Sequence, residues 1–131
     1  MQRKTGNPKP WVRKAEQDYA AALTLSRKRK KPLPDVVCFH AQQCAEKYLK
    51  AFLVSRRIYF PKTHDLLALL KLSTSHEPTL ALLGPFLSDL RPYAVDIRYP
   101  GDQSTRAEAR RATAHMRLVR ERLRQTLGLK T

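Results

Sequence analysis

The stretch from Asp35 to Leu53 constrains the fold more than any other. Val37, Ala41, Cys44, Ala45, Tyr48, Leu49 and Phe52 recur at steps of three and four residues, which puts them on one stripe of a helix. Gln42, Gln43, Glu46, Lys47 and Lys50 fill much of the remaining surface. Ala41, Cys44 and Ala45 are small and lie together in the stripe, so a second helix can approach closely there. The neighbouring segments make sense as helices laid against this one.

Trp11 to about Lys30 reads as a first helix, with Trp11, Ala15, Tyr19, Ala22, Leu23 and Leu25 on its apolar side. Glu16 and Asp18 lie toward its start, and Arg27 to Lys31 crowd its end, an arrangement that complements the helix dipole. That basic run has two readings, a phosphate contact or a solvated helix end. Pro32-Leu33-Pro34 breaks the helix, and Pro34 suits the first turn of the central one, which should end near Arg56 or Arg57. Thr63 is a natural N-cap, with Asp65 in the first turn of a third helix from His64 to about Ser73. Thr79 to about Ile97 is helical but interrupted by Pro85 and Pro92. A last helix runs from about Ser104 to Leu127, stopped by Gly128, with Ala112, Met116, Val119, Leu123 and Leu127 buried. Nothing calls for a strand, and no repeat is visible. The expected fold is all-α, an up-and-down antiparallel helical bundle of about five helices. A flexible basic leader at 1–10 would precede a single helical domain at 11–128.

Charge narrows the choice of partner. Lys and Arg number 26 against 11 Asp and Glu, a formal +15, which points to an anionic partner such as RNA, DNA, nucleotide phosphates, an acidic protein or an anionic membrane. Cys38 and Cys44 are six apart on one helix and rotated away from each other, so buried free thiols in a reducing cytoplasm are expected. The first ten residues lack the apolar core of a signal peptide, and no run approaches a membrane span, so no membrane association is expected.

Four pieces of the chain, in order, resemble the HEPN domain family. Phe39-His40-Ala41-Gln42-Gln43-Cys44-Ala45-Glu46-Lys47-Tyr48-Leu49-Lys50-Ala51 is similar to its second-helix motif, Thr63-His64-Asp65-Leu66 to its T-H-D-L, and Ile97-Arg98-Tyr99-Pro100 to its A-R-Y-P turn. Trp11, Ala15, Asp18 and Ala22 resemble its first helix. The resemblance implies a small helical bundle that often dimerises and is commonly encoded beside, or fused to, a minimal nucleotidyltransferase, as in toxin–antitoxin pairs. It also implies one of two activities. Many members are metal-independent endoribonucleases with an R-x(4–6)-H pair, and others bind nucleotide or RNA without it.

Two spacings fit that pair, Arg57 with His64 and Arg110 with His115. In a chain this rich in arginine, roughly 1.4 such matches are expected by chance. Arg98, in the turn before the last helix, has no His at the permitted spacing. Metal-independent RNA cleavage needs a base for the 2′-hydroxyl and a cation for the developing phosphorane charge, roles that His115, Arg110 and His64 could fill. His115 could equally pack at the edge of the last helix's stripe, and His64 could position the third helix. For nucleotide or RNA binding the candidates are Arg98 and Tyr99, a cation and an aromatic in one turn, with His40, Lys47 and Lys50 on the central helix. No P-loop, metal-ligand spacing or Ser/His/Asp set appears, so no cofactor and no metal are expected. Three functions stay open: a nucleotide- or RNA-binding module acting with a nucleotidyltransferase partner, an endoribonuclease toxin, and a helical dimerisation module for an acidic protein partner.

Overall fold

The central helix is the axle of the molecule. A computed structural model describes residues 6–95 and 99–131, and all regular structure among them is helical. The helices are α1 (Lys9–Ser26), α2 (Pro34–Ser55), α3 (Leu66–Thr74), α4 (Gly84–Leu90) and α5 (Arg106–Thr126), with 3-10 turns at Pro78–Leu83 and Arg91–Tyr93. α1, α3, α4 and α5 all pack on α2. Its Tyr48, Leu49, Phe52 and Leu53 are fully buried, among Leu66, Leu69, Leu80, Leu83, Leu87, Leu90, Met116 and Leu123.

Cross-helix contacts give the directions. Moving down α1 from Asp18 to Glu16 to Trp11, the partners on α2 climb from His40 to Tyr48 to Lys50, so the two helices are antiparallel. Asp35 at the start of α2 meets Ser104, and Tyr48 further along meets Arg124, so α5 runs alongside α2 in the same sense. The two short helices α3 and α4 provide the return. The end of α1 and the loop after it therefore face the start of α5.

Helix ends follow local chemistry, with three departures from expectation. α1 starts at Lys9, with Pro10 in its first turn where the missing N–H costs nothing, and it stops at Ser26 rather than near Lys30. Residues before a proline avoid the helical region, and Lys31, just before Pro32, takes a left-handed φ of 48°. The basic run is thus a loop and not a helix end. α3 is capped by Asp65 and not by Thr63. The Asp65 carboxylate accepts from the N–H groups of Leu67 (3.0 Å) and Ala68 (3.3 Å), while Thr63 Oγ1 accepts from Asp65 N–H at 3.1 Å. Pro85 falls in the first turn of α4 and so starts that helix instead of interrupting it. α5 opens with a reciprocal capping box between Thr105 and Glu108. Gly128, with φ of 76°, follows its end.

The small residues do what their pattern predicts. Ala15 and Ala22 on α1 flank Asp18, and all three are buried. On α2, Cys44 lies between His40 and Lys47, both of which reach α1. The Cys44 thiol is pushed up first by burial and then by the charges of Glu16 and Asp18 on α1. Cys38 and Cys44 are both free and buried. Cys44→Leu should overpack this crossing and cost about 1–3 kcal/mol, read as a lowered urea midpoint with an unchanged slope.

Candidate functional site

Most carboxylates in this basic protein are already engaged. Glu16 accepts from Arg120 Nε (2.7 Å) and Nη2 (2.9 Å) and from the Tyr48 hydroxyl. Asp18 accepts from Lys47 Nζ (2.6 Å) and His40 Nδ1 (2.8 Å). Asp35 accepts the Ser104 N–H at 2.7 Å, and Glu46 accepts from Lys50 Nζ at 2.9 Å. Asp65 and Glu108 cap helices, and Asp89 faces Arg111 and His115. The excess of cations is left at the surface, and one part of that surface is concave.

A cleft of about 380 Å³ opens between the α1–α2 loop and the first turns of α5. Its cations are Arg27, Lys28 and Arg29 from the loop and Arg106 and Arg110 from α5. Leu25, Leu33, Pro32, Pro34, Val37 and Ala109 supply the apolar part. No acid lines it, and none of the five cations makes an ion pair among the described residues. Two of them are held by the loop's own carbonyls. Lys28 Nζ donates to Lys30 O at 2.7 Å, and Arg106 Nη2 donates to Arg29 O at 3.4 Å. Arg110 therefore lines this cleft, with other neighbours than the pair expected. Arg27, Lys28 and Arg29 come from the basic run that the sequence offers as a phosphate contact, and Arg106 joins them because the fold brings the end of α1 to the start of α5. The one sequence signal was the run from Arg27 to Lys31.

His115 does not join Arg110. Five residues turn a helix by about 140° beyond a full revolution, and the two side chains meet different elements. His115 packs on the Phe86 ring, centroids 5.1 Å apart, with Nδ1 at 2.9 Å from Asp89 Oδ2. That approach is off the ring N–H direction, so the two groups are in contact without an aligned hydrogen bond. Arg57, the other arginine of the two spacings, has a left-handed φ of 58° just past the end of α2, and its guanidinium lies against Gly6.

His40, Lys47, Lys50 and His64 form a different kind of site. Asp18 bridges His40 and Lys47 across α1 and α2. Glu46, 2% exposed, takes Lys50, the Gln42 amide (3.3 Å) and His64 Nδ1 (3.0 Å). Gln42 also donates to the His64 carbonyl at 3.2 Å, tying the loop before α3 onto α2. Lys50 lies over Trp11, 5.4 Å from its ring centroid. Each of these side chains contacts an internal carboxylate, a geometry that fits a structural clasp. Only His64, with a side chain 67% exposed, faces solvent broadly. Tyr99 is exposed, its carbonyl closing a turn with Asp102 N–H at 3.0 Å. Arg98, like Ile97 and Asp96 beside it, lies outside the described residues. Among the described residues no group of three His, Cys, Asp or Glu is placed to hold a metal ion. Nor is any helix among them long and apolar enough to cross a membrane.

Several ionisable groups report on the packing. Burial pushes the Tyr48 hydroxyl up, and its bond to Glu16 adds to that. Burial brings Tyr93 up to about 12. For Glu16, burial alone would raise the carboxyl, but the hydrogen bonds from Arg120 and Tyr48 outweigh it and hold the group below its ordinary 4.5. A carboxylate lowered in the native state stabilises the fold above its unfolded pKa, and the gain is lost as pH falls through the native value. Glu16→Gln should therefore be less stable than the parent at pH 7 and should close that gap as pH drops below 4.5, in urea titrations run at both ends.

A family model described as the HEPN domain matches residues 9–126. Comparisons with curated proteins and with solved structures return no match.

Proposed function

The chain belongs to the HEPN domain family, a nucleotide- or RNA-related module at family level, and from that membership we propose that it binds nucleotide or RNA phosphates in the cleft between the α1–α2 loop and α5. The observation that carries this reading is the acid-free set of Arg27, Lys28, Arg29, Arg106 and Arg110 around one concavity. Arginine forks and a lysine suit phosphate oxygens, and aliphatic walls lower the local dielectric in which they act.

The same reading gives the module a minimal nucleotidyltransferase partner, as in a toxin–antitoxin pair, a second copy of itself and a cytoplasmic setting. A groove lined by Leu82, Leu83, Phe86 and Leu118, with Glu121, Arg122 and Gln125 along it and Leu82 and Leu118 half exposed, offers partly apolar surface for such contacts. The two free thiols accord with a reducing compartment. Endoribonuclease catalysis has less support. Arg110 borders the cleft while His115 packs on Phe86 and Asp89, and His64 is engaged by Glu46.

The test is binding of a labelled oligoribonucleotide and of ATP at low salt, with chelator present. Arg27→Ala/Arg110→Ala should weaken one or both by about tenfold or more with unchanged circular dichroism, and parent binding should fall steeply with salt. Unchanged affinity in that variant would contradict the assignment. The RNA should stay intact. Cleavage that disappears in His64→Ala/His115→Ala would make the protein a ribonuclease instead.

A further inference from the structure

The cleft is built for some anions better than for others. Its volume, about 380 Å³, lies within the range of about 300–1,000 Å³ typical of small-molecule sites. A single-stranded nucleic acid is ordinarily held along an extended basic groove, with successive bases stacked on aromatic rings. Among the described residues no aromatic side chain lines this cleft: Leu25, Leu33, Val37, Ala109 and the two prolines carry its apolar part. Tyr99, an exposed ring in the turn before α5, is not among the lining residues.

It is equally poor in side-chain acceptors, which a base's donor groups require. Distinguishing one base from another takes paired donors and acceptors on its edge, supplied by Asn, Gln, Asp or Glu or by a fixed arginine fork. Among the described residues the lining holds no amide and no carboxylate, and Ser26 is its only uncharged polar side chain. Donors abound, and side-chain acceptors are nearly absent. Such a surface matches a ligand made almost wholly of acceptors.

The cations are also concentrated. Arg27, Lys28 and Arg29 are consecutive, and Arg106 and Arg110 stand one helical turn apart, facing them. A phosphodiester strand delivers one charge per nucleotide, whereas a phosphate chain delivers several within one small volume. The loop holds its charges ready, since Lys28 and Arg106 are tied to the carbonyls of Lys30 and Arg29 and the left-handed Lys31 fixes the turn beside them. Like charges assembled at a fixed place before binding lower the ordering cost of capturing a compact polyanion.

We propose that the cleft recognises the phosphate chain of a small polyphosphorylated ligand and leaves base and sugar unread, so that nucleoside triphosphates of any base, and inorganic tripolyphosphate, occupy it in preference to internal phosphodiesters. This rests on the cleft being the anion site proposed above, and it selects among that site's ligands.

Calorimetric titration of the full chain, in chelator and at moderate salt, tests it with ATP, CTP, inorganic tripolyphosphate, AMP and a 5′-hydroxyl oligoribonucleotide. Two variants accompany the parent: Arg27→Ala/Arg110→Ala in the cleft, and Lys62→Ala/Lys130→Ala, which removes the same charge from exposed positions outside it. The expected result is that ATP, CTP and tripolyphosphate agree within about threefold and bind about tenfold or more tighter than AMP or the oligomer, with the loss confined to the cleft variant. Cleft-dependent binding of the oligomer as tight as that of ATP overturns this inference and leaves the anion site standing. So does a preference of about tenfold for one base. Equal weakening in both variants, or none in either, overturns the inference and the site together, because bulk charge would then account for binding.

Discussion

Everything in this bundle depends on the close crossing of α1 and α2. Ala15 and Ala22 on one helix, and Ala41, Cys44 and Ala45 on the other, are each no more than 1% exposed. That proximity lets short acidic side chains on α1 reach across. Asp18 spans to His40 and Lys47, and Glu16 reaches Tyr48 on α2 and Arg120 on α5. With larger residues at the crossing these carboxylates would lose their partners, and the charges left inside would carry the full cost of burial. Packing and electrostatics are therefore one constraint here.

The distribution of charge follows from it. The interior of α2 is unusually polar for a central helix, with Gln42, Glu46 and Lys50 all buried, and every one is satisfied by a neighbour. Acids are spent on this work and on capping. What is left over is cationic, and the chain path gathers five of those cations where the loop after α1 folds over the start of α5. The functional reading of the cleft is thus a consequence of where the fold has already used its carboxylates.

The helices were legible in the sequence because their periodicity is strong and their breaks are chemical. α2 begins at Pro34 and ends at Ser55, close to where proline and the apolar stripe place it. Boundaries decided by competition were not legible. Thr63 and Asp65 are both good caps, and in the structure α3 starts at the buried Leu66 with Asp65 as its cap. The site was less legible still. His40, Lys47, Lys50 and His64 stand out by residue type, yet what they meet is Asp18 on α1 or Glu46 on α2, partners that no local pattern announces. Arg110 and His115 have the right spacing, but a helix turns them onto different neighbours. Arg106 carries no signal by itself. Its place in the cleft depends on α5 running beside α2 in the same sense, which no local pattern reveals.

The most direct test of where the ligand sits is a backbone amide chemical-shift map of the full chain titrated with ATP. The account predicts perturbations centred on residues 25–37 and 106–110, the two segments that line the cleft. Perturbations centred instead on His40, Lys47 and His64, or on Asp89 and His115, with the cleft unmoved, would contradict it.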